Sequence, residues 1–187
     1  MIKSVPWAER VAVMKGDLGE MAVDSFLAAQ GYKKMVPGDL GAHNFDRMYI
    51  PTMKMGADLF HPHWADVKCY TRRTHYADTG INFSHFLTYC EIEDGLGIPG
   101  KIYWVDENEQ LIYGQWFKIL RTPDPRFRRY PLRQGTRGRG EKVYFPLALM
   151  QIYARLPSNI SQEIRDLNTR SYPYPNLDLF IGSEGKV

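Results

Sequence analysis

The chain is poor in cysteine. It has two in 187 residues, Cys69 and Cys90, 21 positions apart and in no CxxC pair. That excludes a disulfide framework and a zinc site built from four cysteines, and it fits a reducing compartment. No apolar run approaches the roughly 20 residues that a membrane span needs, so no membrane partner is expected. The first 15 residues carry Trp7 and Glu9 and lack a basic stretch followed by an apolar one. No secretory leader is therefore expected, and the expected location is the cytoplasm. Repeats and long low-complexity tracts are also missing. What is left reads as one domain over residues 1–187, 44% hydrophobic and 24% charged, long enough to bury a core without staples.

Charge is present but unevenly spread. The formal net charge is +3, yet residues 1–120 hold 12 Lys/Arg against 15 Asp/Glu, and residues 121–187 hold 12 against 6. Eight basic residues crowd into residues 121–142, where Asp124 and Glu141 are the only acids. An acidic part joined to a basic stretch suits carboxylates that gather a metal and cations that grip phosphate. A solvated basic loop is the plain alternative.

Periodicity gives the elements. Leu18, Met21, Ala22, Phe26 and Ala29 share one face, which predicts a helix over residues 17–30, capped by Asp17 and stopped by Gly31. Short strands are expected over residues 32–37, 44–50 and 57–60, and a better-marked one over 64–70. Residues 71–80 read as a loop, and residues 81–93 as a second helix with Asp78 and Thr79 as candidate caps. Strands over 101–105 and 111–120 join through Asp106-Glu107-Asn108-Glu109 as a hairpin. The segment 121–142 holds three prolines and three glycines and reads as a loop or arm. Short helices are expected over 146–155 and 159–168.

The chemistry centres on Asp66-Val67-Lys68. On a strand, Asp66 and Lys68 share one face and Val67 takes the other. A carboxylate offers Mg²⁺ a hard oxygen, and Mg²⁺ rarely uses more than one or two of them. An edge-strand salt bridge between Asp66 and Lys68 is the competing reading. A second carboxylate comes from Asp46 or from Asp58, which a hairpin through Pro62 would set opposite Asp66. Two close carboxylates demand a cation between them or a raised pKa. Glu20, three residues after Asp17, fits either a capping box or a third acid.

These residues resemble the PD-(D/E)XK, or restriction-endonuclease-like, phosphodiesterase superfamily. The resemblance rests on Gly19-Glu20 in the first helix, His43-Asn44-Phe45-Asp46 on a strand and Ala65-Asp66-Val67-Lys68 on the next. The stretch from Tyr76 to Phe86 is similar to the segment that follows the motif in some bacterial and phage members. Phe45 stands where the nominal motif has proline, and the interval from Asp46 to Asp66 is longer than in compact members.

The resemblance implies an α/β fold with an α-β-β-β-α-β core over about residues 17–120, a mixed sheet flanked by helices, then the basic arm at 121–142 and a C-terminal helical extension over 143–187. It implies a metal-dependent nuclease acting on DNA, with Mg²⁺ (Mn²⁺ as a substitute) held by Asp46, Asp66 and the Val67 carbonyl. Glu20 completes the cluster directly or through water, Lys68 positions the nucleophile, and the metal lowers the pKa of a bound water. Cutting of both strands favours a homodimer.

Arg72 and Arg73 follow the motif strand and are candidate phosphate contacts. Arg126, Arg128, Arg129, Arg133, Arg137 and Arg139, with Phe127 and Tyr130 among them, read as a DNA-gripping arm. Asn82 and His85 either face the cleft or cap and pack, and His61-Pro62-His63 reads as a turn rather than a zinc site. Tyr113, Gln115 and Trp116 either touch substrate or, as is more usual for an aromatic strand, belong to the core. Two other readings compete: a non-catalytic nucleic-acid binder on the same scaffold, and an enzyme with Lys68 as an amine nucleophile. Asp66 argues against the last, because a nearby carboxylate raises a lysine pKa.

Overall fold

The computed structural model describes residues 11–35, 45–52, 61–70, 77–122 and 142–169. In chain order these form α1 (Val11–Ala29), β1 (Tyr32–Met35), β2 (Arg47–Pro51), β3 (His63–Tyr70), β4 (Asp78–Asn82), α2 (Phe83–Leu96), β5 (Gly100–Asp106), β6 (Leu111–Trp116), α3 (Phe117–Arg121), β7 (Lys142–Pro146), a 3₁₀ turn (Leu147–Leu149), β8 (Gln151–Arg155) and α4 (Ser158–Thr169). Six strands make one mixed sheet in the order β1-β2-β3-β5-β6-β8, and β4 pairs with β7 in a separate ribbon. β3 and β5 run parallel, with α2 in the connection between them, while the other neighbours in the large sheet are antiparallel. Helix, three strands, helix, strand is the restriction-endonuclease-like order, here with β4 inserted before α2.

Side-chain alternation divides the core into two layers. Ala65, Val67, Tyr103, Val105 and Ile112 pack under α1 and α4 with Leu18, Val23, Leu27 and Ile164. Trp64, Ile102, Trp104 and Tyr113 pack on the other face, under α2, α3 and the ribbon, with Phe86, Tyr89, Phe117 and Phe145. β5 is therefore covered on both faces and is buried at all seven positions. Gly19 lets α1 approach β3, since a Cβ there would lie 3.0 Å from Cys69 Cβ. α2 ends where Gly97 takes the left-handed conformation (φ 63°) and its N–H donates to Glu93 O at 3.2 Å. Among the described residues no helix is long and apolar enough to cross a membrane.

The structure corrects several expectations. α1 is already helical at Val11, so Asp17 lies inside it and caps nothing. Asp78 and Thr79 belong to β4, and the N-cap of α2 is Asn82. The strand expected over 111–120 stops at Trp116, because Phe117 and Leu120 turn inward as one face of α3. Residues 146–155 contain no α-helix. They end β7, pass through the 3₁₀ turn and form β8, the edge strand beside β6, so the described part of the C-terminal extension, up to Thr169, is strand, strand, helix rather than helical. The possible strand at 57–60 and nearly all of the basic segment lie outside the described residues. His63 is a core residue, 1% exposed, with its ring nitrogens 3.2 Å from His61 O and Tyr103 Oη.

One buried charge lies on β5, away from Asp66 and Lys68. Lys101 is 9% exposed, and its ammonium sits 4.2 Å from the ring centroid of Tyr153, 4.6 Å from Trp116 and 5.3 Å from Tyr103. Burial lowers its pKa from 10.5 to about 8. Between those values the unfolded chain holds a proton that the folded chain has shed, so this group makes stability rise with pH across that window. Lys101→Met is expected to stabilise the fold at pH 7 by roughly 2 kcal/mol, seen as a higher urea midpoint, with the difference closing toward pH 10.5. A lower midpoint at pH 7 would mean that the ring contacts outweigh the cost of burial.

Candidate active site

Asp66 and Lys68 project from β3 toward α2, on the same face as Trp64, because side chains alternate along the strand. β2 pairs antiparallel with β3 in the register Arg47↔Ala65. One step further along that register sets Asp46 opposite Asp66. The step is fixed by two bonds: Asp46 N donates to Ala65 O at 3.1 Å, and Val67 N donates to Asp46 Oδ2 at 2.8 Å. β2 pairs with β3 no further than Ala65, so the Val67 N–H has no strand partner on that edge. The Asp46 side chain supplies the missing acceptor. The Val67 carbonyl points to the same edge as its N–H.

Asp66 is 3% exposed. Lys68 Nζ lies 2.7 Å from its Oδ1 and 2.6 Å from its Oδ2. The hydrogen bond goes to Oδ1, and Oδ2 is buried without a hydrogen bond of good geometry. Tyr89 on α2 also hydrogen-bonds to the Asp66 carboxylate. Burial lifts the Asp66 pKa to about 7, with Lys68 and Tyr89 opposing the rise and the Asp46 charge adding to it. The two carboxylates and Lys68 line one cleft of about 220 Å³, with Phe45 beside them and His85, Thr88 and Tyr89 facing them from α2. Burial and Lys68 push the His85 imidazole below its ordinary pKa, while Asp46 pulls it up.

Glu20 stands apart from this lining. It is ion-paired with Arg47, whose side chain lies on the α1 side of β2. Burial raises its pKa, and Asp46 is the strongest of the like charges that raise it further, so Glu20 is within electrostatic reach of the pair. Asp58, Arg72, Arg73, Arg126, Arg128, Arg129, Arg133, Arg137 and Arg139 lie outside the described residues. The structure thus brings together Asp46, Asp66, Val67 and Lys68, and adds Tyr89, Thr88 and Arg47, which sequence reasoning passed over. The available signal for Tyr89 was its spacing of four from His85, which puts both on one face of α2.

Among the described residues no three His, Cys, Asp or Glu side chains form a metal-holding group. Two carboxylates do converge, and the Lys68 ammonium beside Asp66 leaves Asp66 Oδ2 without a hydrogen bond of good geometry. Hard oxygens in that number fit Mg²⁺, which retains waters and takes one or two carboxylates.

No protein-family model and no curated protein matches the chain. Solved structures similar to it include two at low identity. One is Hjc, a Holliday junction resolvase from Archaeoglobus fulgidus, an archaeal hyperthermophile (8% identity, 79% of this chain and 96% of that one, TM-score 0.44). The other is a nuclease from a fusselovirus (12% identity, 88% of this chain and 96% of that one, TM-score 0.48).

The raised Asp66 pKa has a consequence for stability. Between pH 3.8 and about 7 the folded chain holds a proton that the unfolded chain has released, so this group makes stability fall as pH rises through that window. Asp66→Asn is expected to stabilise the fold at pH 8 by roughly 2–3 kcal/mol, with the gain vanishing below about pH 4. Urea unfolding of both proteins across pH checks this. A gain of the same size at every pH would place its origin outside the titration of Asp66.

Proposed function

We propose that the chain is a metal-dependent nuclease that hydrolyses DNA phosphodiester bonds by direct attack of water. The observation that carries this reading is the register of β2 on β3, which sets Asp46 opposite Asp66 and puts both in one cleft with Lys68. Asp46 and Asp66, with the Val67 carbonyl, are the residues that would hold Mg²⁺ or Mn²⁺. When bound there, such a cation supplies Lewis acidity and offsets the charge that grows on the phosphate.

The chain's own groups do the rest. Asp46 is held in place by the Val67 N–H, and Asp66 by Lys68 and Tyr89, so neither carboxylate must be reorganised when substrate arrives. Lys68 carries its ammonium into the cleft, where it orients the attacking water and meets the phosphate. Phe45 and the α2 residues close the other side and limit access of bulk water. The nucleophile is water rather than a side chain, so no covalent enzyme intermediate forms. DNA is the favoured substrate because of the arginines at 121–142, with Arg72 and Arg73 as further phosphate contacts. Cutting of both strands would be served by a homodimer.

The test is cleavage of labelled linear, circular, single-stranded and branched DNA, with Mg²⁺, with Mn²⁺ and with chelator. Asp66→Ala and Lys68→Ala are each expected to lower the rate by about 10²-fold or more. Cutting that survives the chelator or ignores both substitutions would overturn this reading. Binding without cutting on every substrate would leave a non-catalytic binder.

A further inference from the structure

Arg47 follows Asp46 directly, and alternation sends its side chain to the α1 face. Its guanidinium is held on three sides. It is ion-paired with Glu20, its Nε lies 3.6 Å from Asp24 Oδ1, and its Nη1 donates to the main-chain carbonyl of Asp46 at 2.8 Å. Asp24 has other partners, since Tyr49 Oη donates to it at 2.6 Å and Lys34 Nζ lies 2.5 Å away. Among the described residues Glu20 has Arg47 as its one ion-pair partner. The Arg47 and Glu20 side chains are 18% and 22% exposed, so the pair is partly buried yet still reached by solvent. Asp46 is the like charge that acts most strongly on Glu20.

We propose that Arg47 ties up the Glu20 carboxylate, so that a divalent cation on Asp46 and Asp66 must compete with Arg47 for Glu20. This rests on the reading of Asp46 and Asp66 as a cation site. A guanidinium stays charged at any working pH and has donors but no acceptor. It can therefore hold a carboxylate in place but cannot bind the cation itself, and its charge repels an incoming dication. Loss of Arg47 frees Glu20 and adds one net negative charge beside the pair. Lysine keeps the charge but not the planar fork that reaches Glu20, Asp24 and the Asp46 carbonyl together.

The test is Mn²⁺ affinity of the full chain, read from the EPR signal of free Mn²⁺ without DNA. Arg47→Met is expected to bind Mn²⁺ about three- to tenfold more tightly than the unaltered chain. Arg47→Lys is expected to move the same way by less. The double variant Arg47→Met with Glu20→Gln is expected to lose the gain, because the freed ligand is gone. Unchanged or weaker binding in Arg47→Met, with circular dichroism showing an intact fold, overturns the proposal. So does a gain that persists in the double variant. If Arg47→Met fails to fold, Arg47→Lys decides by the direction of its shift. Asp66→Asn is the separate control: if it leaves Mn²⁺ affinity unchanged, the cation-site reading itself fails, and this proposal with it.

Discussion

The bond from the Val67 N–H to Asp46 Oδ2 decides most of what the site can be. β2 stops pairing with β3 just before the two acids would face each other, and a carboxylate completes the ladder in place of a carbonyl. That bond brings a charged group beside a second one that is buried. The usual response to two close carboxylates is a shifted pKa or a bound cation. Asp66 shows the first, and Lys68, ion-paired with its carboxylate, supplies one positive charge beside the pair. The neighbours then act on that pair: in the cleft Lys68 offsets one charge and Tyr89 favours the charged form of the same acid, while on the α1 face Arg47 is ion-paired with Glu20.

The two faces of β3 explain how one strand serves both stability and chemistry. Ala65 and Val67 are buried under α1, where Gly19 allows the close approach. Trp64 anchors the opposite face among the aromatic residues of α2 and α3, and Asp66 and Lys68 follow it into the cleft. Parallel pairing with β5 over Trp64↔Gly100 to Tyr70↔Asp106 keeps the strand straight through the site. Asp66 costs stability in this position, which is common where a carboxylate is held for function.

Much of this was legible in the sequence, and the gaps have physical causes. β3 stood out because it is short, rich in apolar residues and preceded by Pro62. α1 stood out through apolar spacing, and α4 was expected as a short helix. β8 was misread because an edge strand with mostly exposed positions lacks a buried alternation. β4 was missed because its partner, β7, lies some 60 residues on, and a long-range pairing leaves no local mark. Asp46 and Asp66 were legible as a pair through the motif, but the bond that joins them depends on register, which spacing alone does not reveal. Arg47 was hidden by its neighbour, since its role appears only when α1 packs across β2. Lys101 gave no signal, because its cage comes from β5, β6 and β8.

The central claim is that Asp46 and Asp66 together form a divalent-cation site. The most direct test is paramagnetic broadening in an NMR spectrum of the isotopically labelled chain as Mn²⁺ is added below one equivalent. The account predicts that the amides of Asp46, Asp66, Val67 and Lys68 broaden first, with Glu20 close behind. Broadening that begins elsewhere, or that spreads evenly over the acidic surface, would contradict it.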